Sequence, residues 1–375
     1  MAAHAQSHRG RWLSLLLAVA VLAALAAAGV LVARTHGSPT AAVASVKPKV
    51  VPLEVVGTNP GANATDVPSS AALTVDLSAP LAKDSPLPTL SPPVSGTWSS
   101  LSTTELQFVS SGPLVPGQQE TLTIPGGPNG LVSDQGQRLA ATDTISFTVA
   151  PGSTLRLQQL LAQLGYLPLN FTPATQPTSP QQEADPQQGT FAWRWPNLPA
   201  SLTSLWTAGT ANVITQGAVM RFEDVNGLAT DGIAGPLVWT ALLKAASTGA
   251  ADPQSYDYVV VSKTLPENVT VYKDGAAVYN TLANTGVPAA ATPDGTWPVY
   301  LRYQVTTMSG TNPNGTHYVD PGIPWVSYFH GGDALHGFIR PGYGYPQSDG
   351  CVEMPPANAA VVYPLTPRGT LVTVE

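Results

Sequence analysis

Proline and glycine recur so densely along this chain that long uninterrupted helices have little room to form: 37 prolines and 34 glycines fall among 375 residues. Proline lacks the amide donor that a helix interior needs, and glycine gives up the most backbone entropy there. Helical bundles and coiled coils are therefore excluded, leaving short elements separated by turns. An apolar content of 43% is too high for a wholly disordered chain, and the length suits two to four modest domains. Charged residues are only 10% of the total, with 16 basic against 23 acidic side chains and a formal net charge of -7. Nucleic acid is excluded as a partner, because phosphate binding needs clustered Lys and Arg. One cysteine, Cys351, permits no internal disulfide. Outside the cytoplasm such a residue is a free thiol or an intermolecular partner, and a free thiol points to chemistry.

Residues 12–33, WLSLLLAVAVLAALAAAGVLVA, carry no charge. At ~1.5 Å per residue they cover ~30 Å of hydrocarbon, so the segment reads as a transmembrane anchor. Arg9 and Arg11 precede it and Arg34 closely follows. That bias makes residues 1–11 a cytoplasmic tail and puts the rest of the chain outside the membrane. The competing reading is a cleaved signal peptide, with Ala26 and Ala28 offering a small-x-small site. The apolar run, however, exceeds the ~7 to 15 residues of a cleavable core. Residues 34–50, rich in Ser, Pro, Thr, Ala and Lys, read as a linker.

Short alternating runs follow at 53–56, 72–78, 105–110, 119–124 and 143–149, separated by Pro, Gly, Asn and Asp clusters. Such spacing is that of a β-sandwich, assigned to residues 51–150. Helical spacing first appears outside the apolar segment at Leu155, Leu157, Leu160, Leu161 and Leu164, closed by Gly165, and a second helical piece starts near Gly217. Strands resume at 258–263, and in TVYKDGAAVYN at 270–280 the pair Asp274-Gly275 suits a primed hairpin turn.

The chemistry-bearing residues lie in the last hundred. Cys351 sits in QSDGCVEM at 347–354, fifteen positions after His336 in ALHG. A thiolate can attack a carbonyl, and an imidazole can take the thiol proton and later give it to a leaving amine. Gly350 permits a sharp turn in which the amides of Asp349, Gly350 and Cys351 converge on a developing oxyanion. From these residues alone, a Cys/His acyltransferase and a buried structural thiol beside a loop histidine both stand.

Three resemblances bear on the choice. Residues 56–81 resemble the opening of bacterial immunoglobulin-like modules of the cell envelope. LQQLLAQLGYLPL at 157–169 and GAVMRFEDVNGLATDGIAGPLVWTALL at 217–243 resemble the small helical peptidoglycan-binding domain, assigned to 152–249 and interrupted by a Pro- and Gln-rich insertion at 170–212. Arg221-Phe222-Glu223 stands where that family usually has Phe-Gln. Residues 291–374 resemble the L,D-transpeptidase catalytic domain through Thr292-Pro293-Asp294-Gly295-Thr296, Ile323-Pro324-Trp325, Leu335-His336-Gly337, Ser348-Asp349-Gly350-Cys351-Val352 and the closing GTLVTV at 369–374. Two positions depart from that pattern: Asp349 replaces a frequent His, and Glu353 replaces Arg or Asn, which makes the substrate-facing charge more negative.

The third resemblance implies that residues 256–375 form an all-β catalytic domain in which Cys351 is acylated and His336 exchanges its proton. It further implies that the Gly337 carbonyl orients the imidazole and that the amides of Gly350 and Cys351 bind the oxyanion. Ser348 reads as a turn-former and Asp349 as part of the catalytic turn. Residues 302–325 would form a lid over the substrate channel, with Met308, Tyr318 and Trp325 as substrate contacts. The fold class is thus multidomain and mainly β: membrane helix, immunoglobulin-like sandwich, helical peptidoglycan-binding module and catalytic domain. The expected function is formation of 3→3 peptidoglycan cross-links at the cell wall, with L,D-carboxypeptidase side activity and no metal or organic cofactor. Expected partners are peptidoglycan stem peptides and glycan, the membrane, and carbapenem-type β-lactams as inhibitors. Two alternatives are a zinc-dependent peptidase built on His317, Asp320, His330, Asp333 and His336, and a non-catalytic wall-binding protein.

Overall fold

The computed structural model describes residues 52–252 and 254–375. The expected tail at 1–11, anchor at 12–33 and linker at 34–50 lie outside them. Among the described residues no helix is long and apolar enough to cross a membrane.

The first unit comprises β1 (Val55–Asn59), β2 (Ala64–Val67), β3 (Leu73–Leu77), β4 (Thr89–Ser91), β5 (Gly96–Ser100), β6 (Glu105–Ser110), β7 (Gln119–Ile124) and β8 (Asp143–Val149). They form two four-stranded sheets, ordered β1-β3-β6-β5 and β2-β8-β7-β4. Period-2 alternation turns Leu73, Val75 and Leu77 of β3 inward, and Leu122 and Ile124 of β7 with them. Each such burial stabilises by roughly 1.5–3 kcal/mol. The inward register of β7 also takes in Glu120, which is only 1% exposed and whose Oε2 finds no partner. Burial pushes its carboxyl up to about 7.

The second unit holds the helices. In α1 (Thr154–Gln163) the Ser153 side chain accepts from the Arg156 amide at 3.0 Å, and Gly165, at φ +82°, turns the chain away just beyond the helix. The insertion is ordered as a two-stranded ribbon, β9 (Leu169–Pro173) with β10 (Gly189–Trp193), followed by the short α2 (Ala200–Thr203). Next come α3 (Val213–Val225), capped by Asn212, and α4 (Pro236–Thr248), which starts on Pro236 and ends on left-handed Gly249. Leu160, Leu161, Phe222, Trp239 and Leu242 make its core, which continues into Tyr258, Val260 and Leu371 of the third unit. Arg221 and Glu223, the departures from the helical-family pattern, lie buried within this packing. Arg221 pairs with Asp252 at 3.3 Å, while Glu223 is fully buried and accepts from the Gly232 amide at 2.8 Å. Gly217 of α3 faces Gly369 so closely that a Cβ on Gly217 would sit 2.6 Å from the Gly369 carbonyl oxygen.

The third unit pairs two sheets. One is built from β11 (Asp257–Ser262), β12 (Asn268–Lys273), β13 (Ala276–Leu282), β14 (Gly295–Pro298) and β19 (Leu371–Val374), in the order β13-β12-β11-β19-β14. Asp274 and Gly275, both at positive φ, form the expected turn between β12 and β13. The other sheet is β15 (Leu301–Thr311), β16 (His317–His330), β17 (Asp333–Gly337) and β18 (Val352–Met354), in that order. Val259, Val261, Val269, Phe329, Leu335, Val352 and Val372 share one core. The unit is not all β: α5 (Pro356–Val362) packs Ala359 and Val362 into that core. A run of Ala and Val after Pro356 has no period-2 alternation to sustain a strand, and proline opens the helix.

Candidate active site

β17 and β18 run parallel, with His336 opposite Glu353. A parallel pair cannot be closed by a tight turn, so the intervening residues must cross over. That crossover accounts for the fifteen-residue spacing and delivers Cys351 to the start of β18, beside the strand carrying His336. The turn before Cys351 is braced from several sides. Gly350, at φ +117°, packs so tightly on Asp333 that an added Cβ would overlap its Oδ1. The Thr292 hydroxyl donates to the Gly350 carbonyl at 2.7 Å and accepts from the Gly286 amide at 2.9 Å. The Ser348 amide donates to Thr285, and Thr285 in turn donates to buried Glu267 through its amide (2.7 Å) and hydroxyl (2.8 Å).

Met308, Tyr318, His336, Ser348, Asp349 and Cys351 line one cleft of about 300 Å³, together with Asn312, Asp320, Ile323, Phe338, Arg340 and Glu353. One wall is the β15–β16 hairpin. The segment expected as a lid loop is two long paired strands, from Leu301↔Tyr328 to Thr311↔His317, so only its tip at 312–316 is a turn. Trp325 is not in the cleft. At φ +59° it lies 5.6 Å from the Tyr363 ring and lines a separate depression with Arg302.

His336 is buried, and its Nδ1 lies 3.1 Å from the Gly337 carbonyl oxygen. With the proton on Nδ1, that bond leaves Nε2 as the acceptor. Gly337 itself is packed against Pro356, Pro324 and Ala359. Burial lowers the His336 pKa; the Gly337 contact and Glu353 oppose the shift, and Arg340 adds to it. Burial pushes the Cys351 thiol up to about 12, and Asp333, Glu353 and Asp349 push the same way. The thiol hydrogen-bonds the Gly332 carbonyl at 3.7 Å. Burial thus favours the neutral thiol and the neutral imidazole over the charged pair.

Ser348 stays within the turn: its hydroxyl donates to the Cys351 carbonyl at 2.5 Å and accepts from the Gly350 amide at 3.3 Å. That last bond is long, and among the described residues the Cys351 and Asp349 amides donate to no protein acceptor. Tyr318 lines the same cleft, and burial raises its pKa, so its hydroxyl keeps its proton and remains a donor. Glu353 is not a free negative charge either, because Arg340 holds it with two bonds of 2.7 Å.

The zinc reading fails on placement. His317 meets Thr311, His330 pairs with Asp333 at 3.1 Å and stacks on Trp297, and only Asp320 and His336 share the cleft. Among the described residues no three His, Cys, Asp or Glu side chains converge as a metal site. The sequence reading missed Arg340. Its signal, a basic residue in the crossover opposite an acidic one after Cys351, becomes legible only once β17 and β18 are known to be adjacent.

Residues 256–374 match the family model described as the L,D-transpeptidase catalytic domain, and residues 49–149 match that of a bacterial Ig-like domain. No curated protein matches the chain. Similar solved structures include an L,D-transpeptidase from Mycobacterium smegmatis, 13% identical, covering 87% of this chain and 100% of its own, at a TM-score of 0.29. L,D-transpeptidase 3 from Mycobacterium tuberculosis is 12% identical over 86% of this chain and 98% of its own, at 0.30. The E. faecium catalytic domain acylated by ertapenem is 26% identical over 33% of this chain and 100% of its own, at 0.29. The third unit is thus an L,D-transpeptidase catalytic domain and the first an Ig-like domain.

Proposed function

We propose that this protein is a cell-wall transpeptidase that forms 3→3 cross-links through an acyl-enzyme on Cys351. The observation that carries the reading is the braced turn that sets Cys351, with a free backbone amide, in one cleft with the open Nε2 side of His336. In the donor step Cys351 Sγ attacks the carbonyl of the diamino acid in a tetrapeptide stem while its proton passes to His336 Nε2. Negative charge on the carbonyl oxygen is met by the Cys351 amide, with the Asp349 amide and the Tyr318 hydroxyl as further donors. His336 then returns the proton to the leaving nitrogen, D-Ala departs, and a thioester remains. An amine of a second stem resolves the thioester and Cys351 regains its proton; water in place of the amine gives L,D-carboxypeptidase activity.

Residues 12–33 would anchor the chain in the membrane, with the linker and Ig-like domain carrying the catalytic domain outward and the helical unit contributing affinity for glycan. A carbapenem would acylate Cys351; the E. faecium catalytic domain is itself known acylated by ertapenem. Incubating the protein with purified disaccharide tetrapeptides and weighing the products tests the reading. Dimers smaller than two monomers by one D-Ala, along with tripeptide, are expected. Unchanged monomers from folded protein would contradict it.

A further inference from the structure

The proposed donor has a chemical feature that the catalytic pair does not address. The D-Ala that leaves carries a free carboxylate, only two bonds beyond the scissile nitrogen. Of the twelve side chains lining the cleft, Arg340 is the one with a fixed positive charge, since His336 rests neutral. Its guanidinium is locked in place. Nε and Nη2 bond the two Glu353 oxygens at 2.7 Å each, Nη2 also reaches the Gln347 carbonyl at 3.4 Å, and the group lies over the Phe338 ring at 4.6 Å. Glu353 thus occupies one edge of the fork. Nη1 donates to nothing in the protein among the described residues, so two N–H groups remain on the outer edge.

The rest of the cleft argues against any looser means of holding an anion. Asp320 and Asp349 line it, and neither forms an ion pair among the described residues. A carboxylate entering here needs a directed donor, because the surrounding charge repels it. We propose that Arg340, held by Glu353, is the specificity residue that reads the terminal D-Ala carboxylate of the donor stem. This rests on the transpeptidase reading above. It explains why Glu353 can stand where a basic or amide side chain is common: the cation enters from the crossover, and Glu353 aims it. It also makes donor length legible to the enzyme, since a stem one residue longer moves its carboxylate away from Nη1.

The test compares two donors with the full-length protein, a stem ending in D-Ala as the free acid and the same stem ending in D-alaninamide. The readouts are the rate of Cys351 acylation by intact mass and kcat/KM for release of the terminal residue. Wild type should prefer the acid by at least roughly tenfold, the scale of a hydrogen bond to a charged group. Arg340→Met should slow the acid alone, bringing the two donors to parity or inverting the preference as Asp320 and Asp349 take over. Arg340→Lys should keep part of the preference, and supplies the comparison if the Met variant does not fold. A change in His336 or in the turn would slow both donors equally. Equal loss on both donors, or equal wild-type rates for acid and amide, overturns the proposal. Absence of acylation by either donor in folded wild type overturns the transpeptidase reading, and this inference with it.

Discussion

Gly350→Ala isolates the geometry on which catalysis depends. At φ +117° a residue with a Cβ is strained by roughly 1–3 kcal/mol even in open space. Here the space is closed, because the new methyl would approach Asp333 Oδ1 within the 3.0 Å that real Cβ atoms keep. Asp333 cannot simply swing away, since its other oxygen is paired with His330 at 3.1 Å. Relief must therefore come from the turn itself, shifting the Cys351 thiol and amide. A displacement near 1 Å costs on the order of 100-fold in rate. The expected result is a loss of about 2–6 kcal/mol in denaturant unfolding, the sum of strain and overlap, with acylation by a carbapenem slowed at least 100-fold. Asp333→Ala added to Gly350→Ala should restore part of the stability by removing the overlapped oxygen, leaving only the backbone strain. A Gly350→Ala protein within 0.5 kcal/mol of wild type that acylates at the wild-type rate would refute this account of the turn.

Other outcomes follow from the charge states and the packing. His336 must be neutral to accept a proton and burial lowers its pKa, so acylation should hold down to pH 6.5 and fall only below it; an acid limb above pH 7 would contradict this. Because burial pushes the Cys351 thiol up to about 12, iodoacetamide should alkylate it slowly at pH 7–8, with a rate still climbing at pH 10; a plateau near pH 8 would mean a thiolate preformed by His336. Glu120 rises from an ordinary 4.5 to about 7 on folding, so its contribution is favourable below 4.5 and lost as pH climbs through 7. That loss amounts to roughly 3 kcal/mol. Glu120→Gln should accordingly raise the Tm at pH 8 and leave it nearly unchanged at pH 4; the same Tm change at both would show that the carboxyl is not the cause. Gly217→Ala must force α3 away from the Gly369 carbonyl and Leu371, at a cost of about 1–3 kcal/mol in denaturant unfolding. Unchanged stability would show that the two units are not pressed together at that point.

What could be read from the chain follows from where the information is local. The alternation in ALTVDLS and DTISFTV specifies β3 and β8, because each inward position is apolar. By contrast β5, with the sequence GTWSS, and the three-residue β4 have no such pattern and are strands because neighbours pair with them. At the site, Cys351, His336 and Gly350 were legible because a thiol, an imidazole and a turn glycine are rare and functionally marked residue types. Trp325 was misplaced because a left-handed backbone at a bulky residue, set by tertiary packing, turns it toward Tyr363. The pairing of Arg340 with Glu353 was invisible for a similar reason: thirteen positions separate them in sequence, and only the β17–β18 register makes them neighbours.

The central claim is that Cys351 carries the acyl group, and the most direct measurement is the intact mass of the protein during turnover. Mixed with a tetrapeptide stem and quenched in acid, wild type should gain the mass of the stem less D-Ala, mapped to the peptide containing Cys351. His336→Ala should accumulate that adduct far more slowly, and Cys351→Ala not at all. An adduct that persists in Cys351→Ala, or product formed by wild type with no adduct on this residue at any time, would contradict the account.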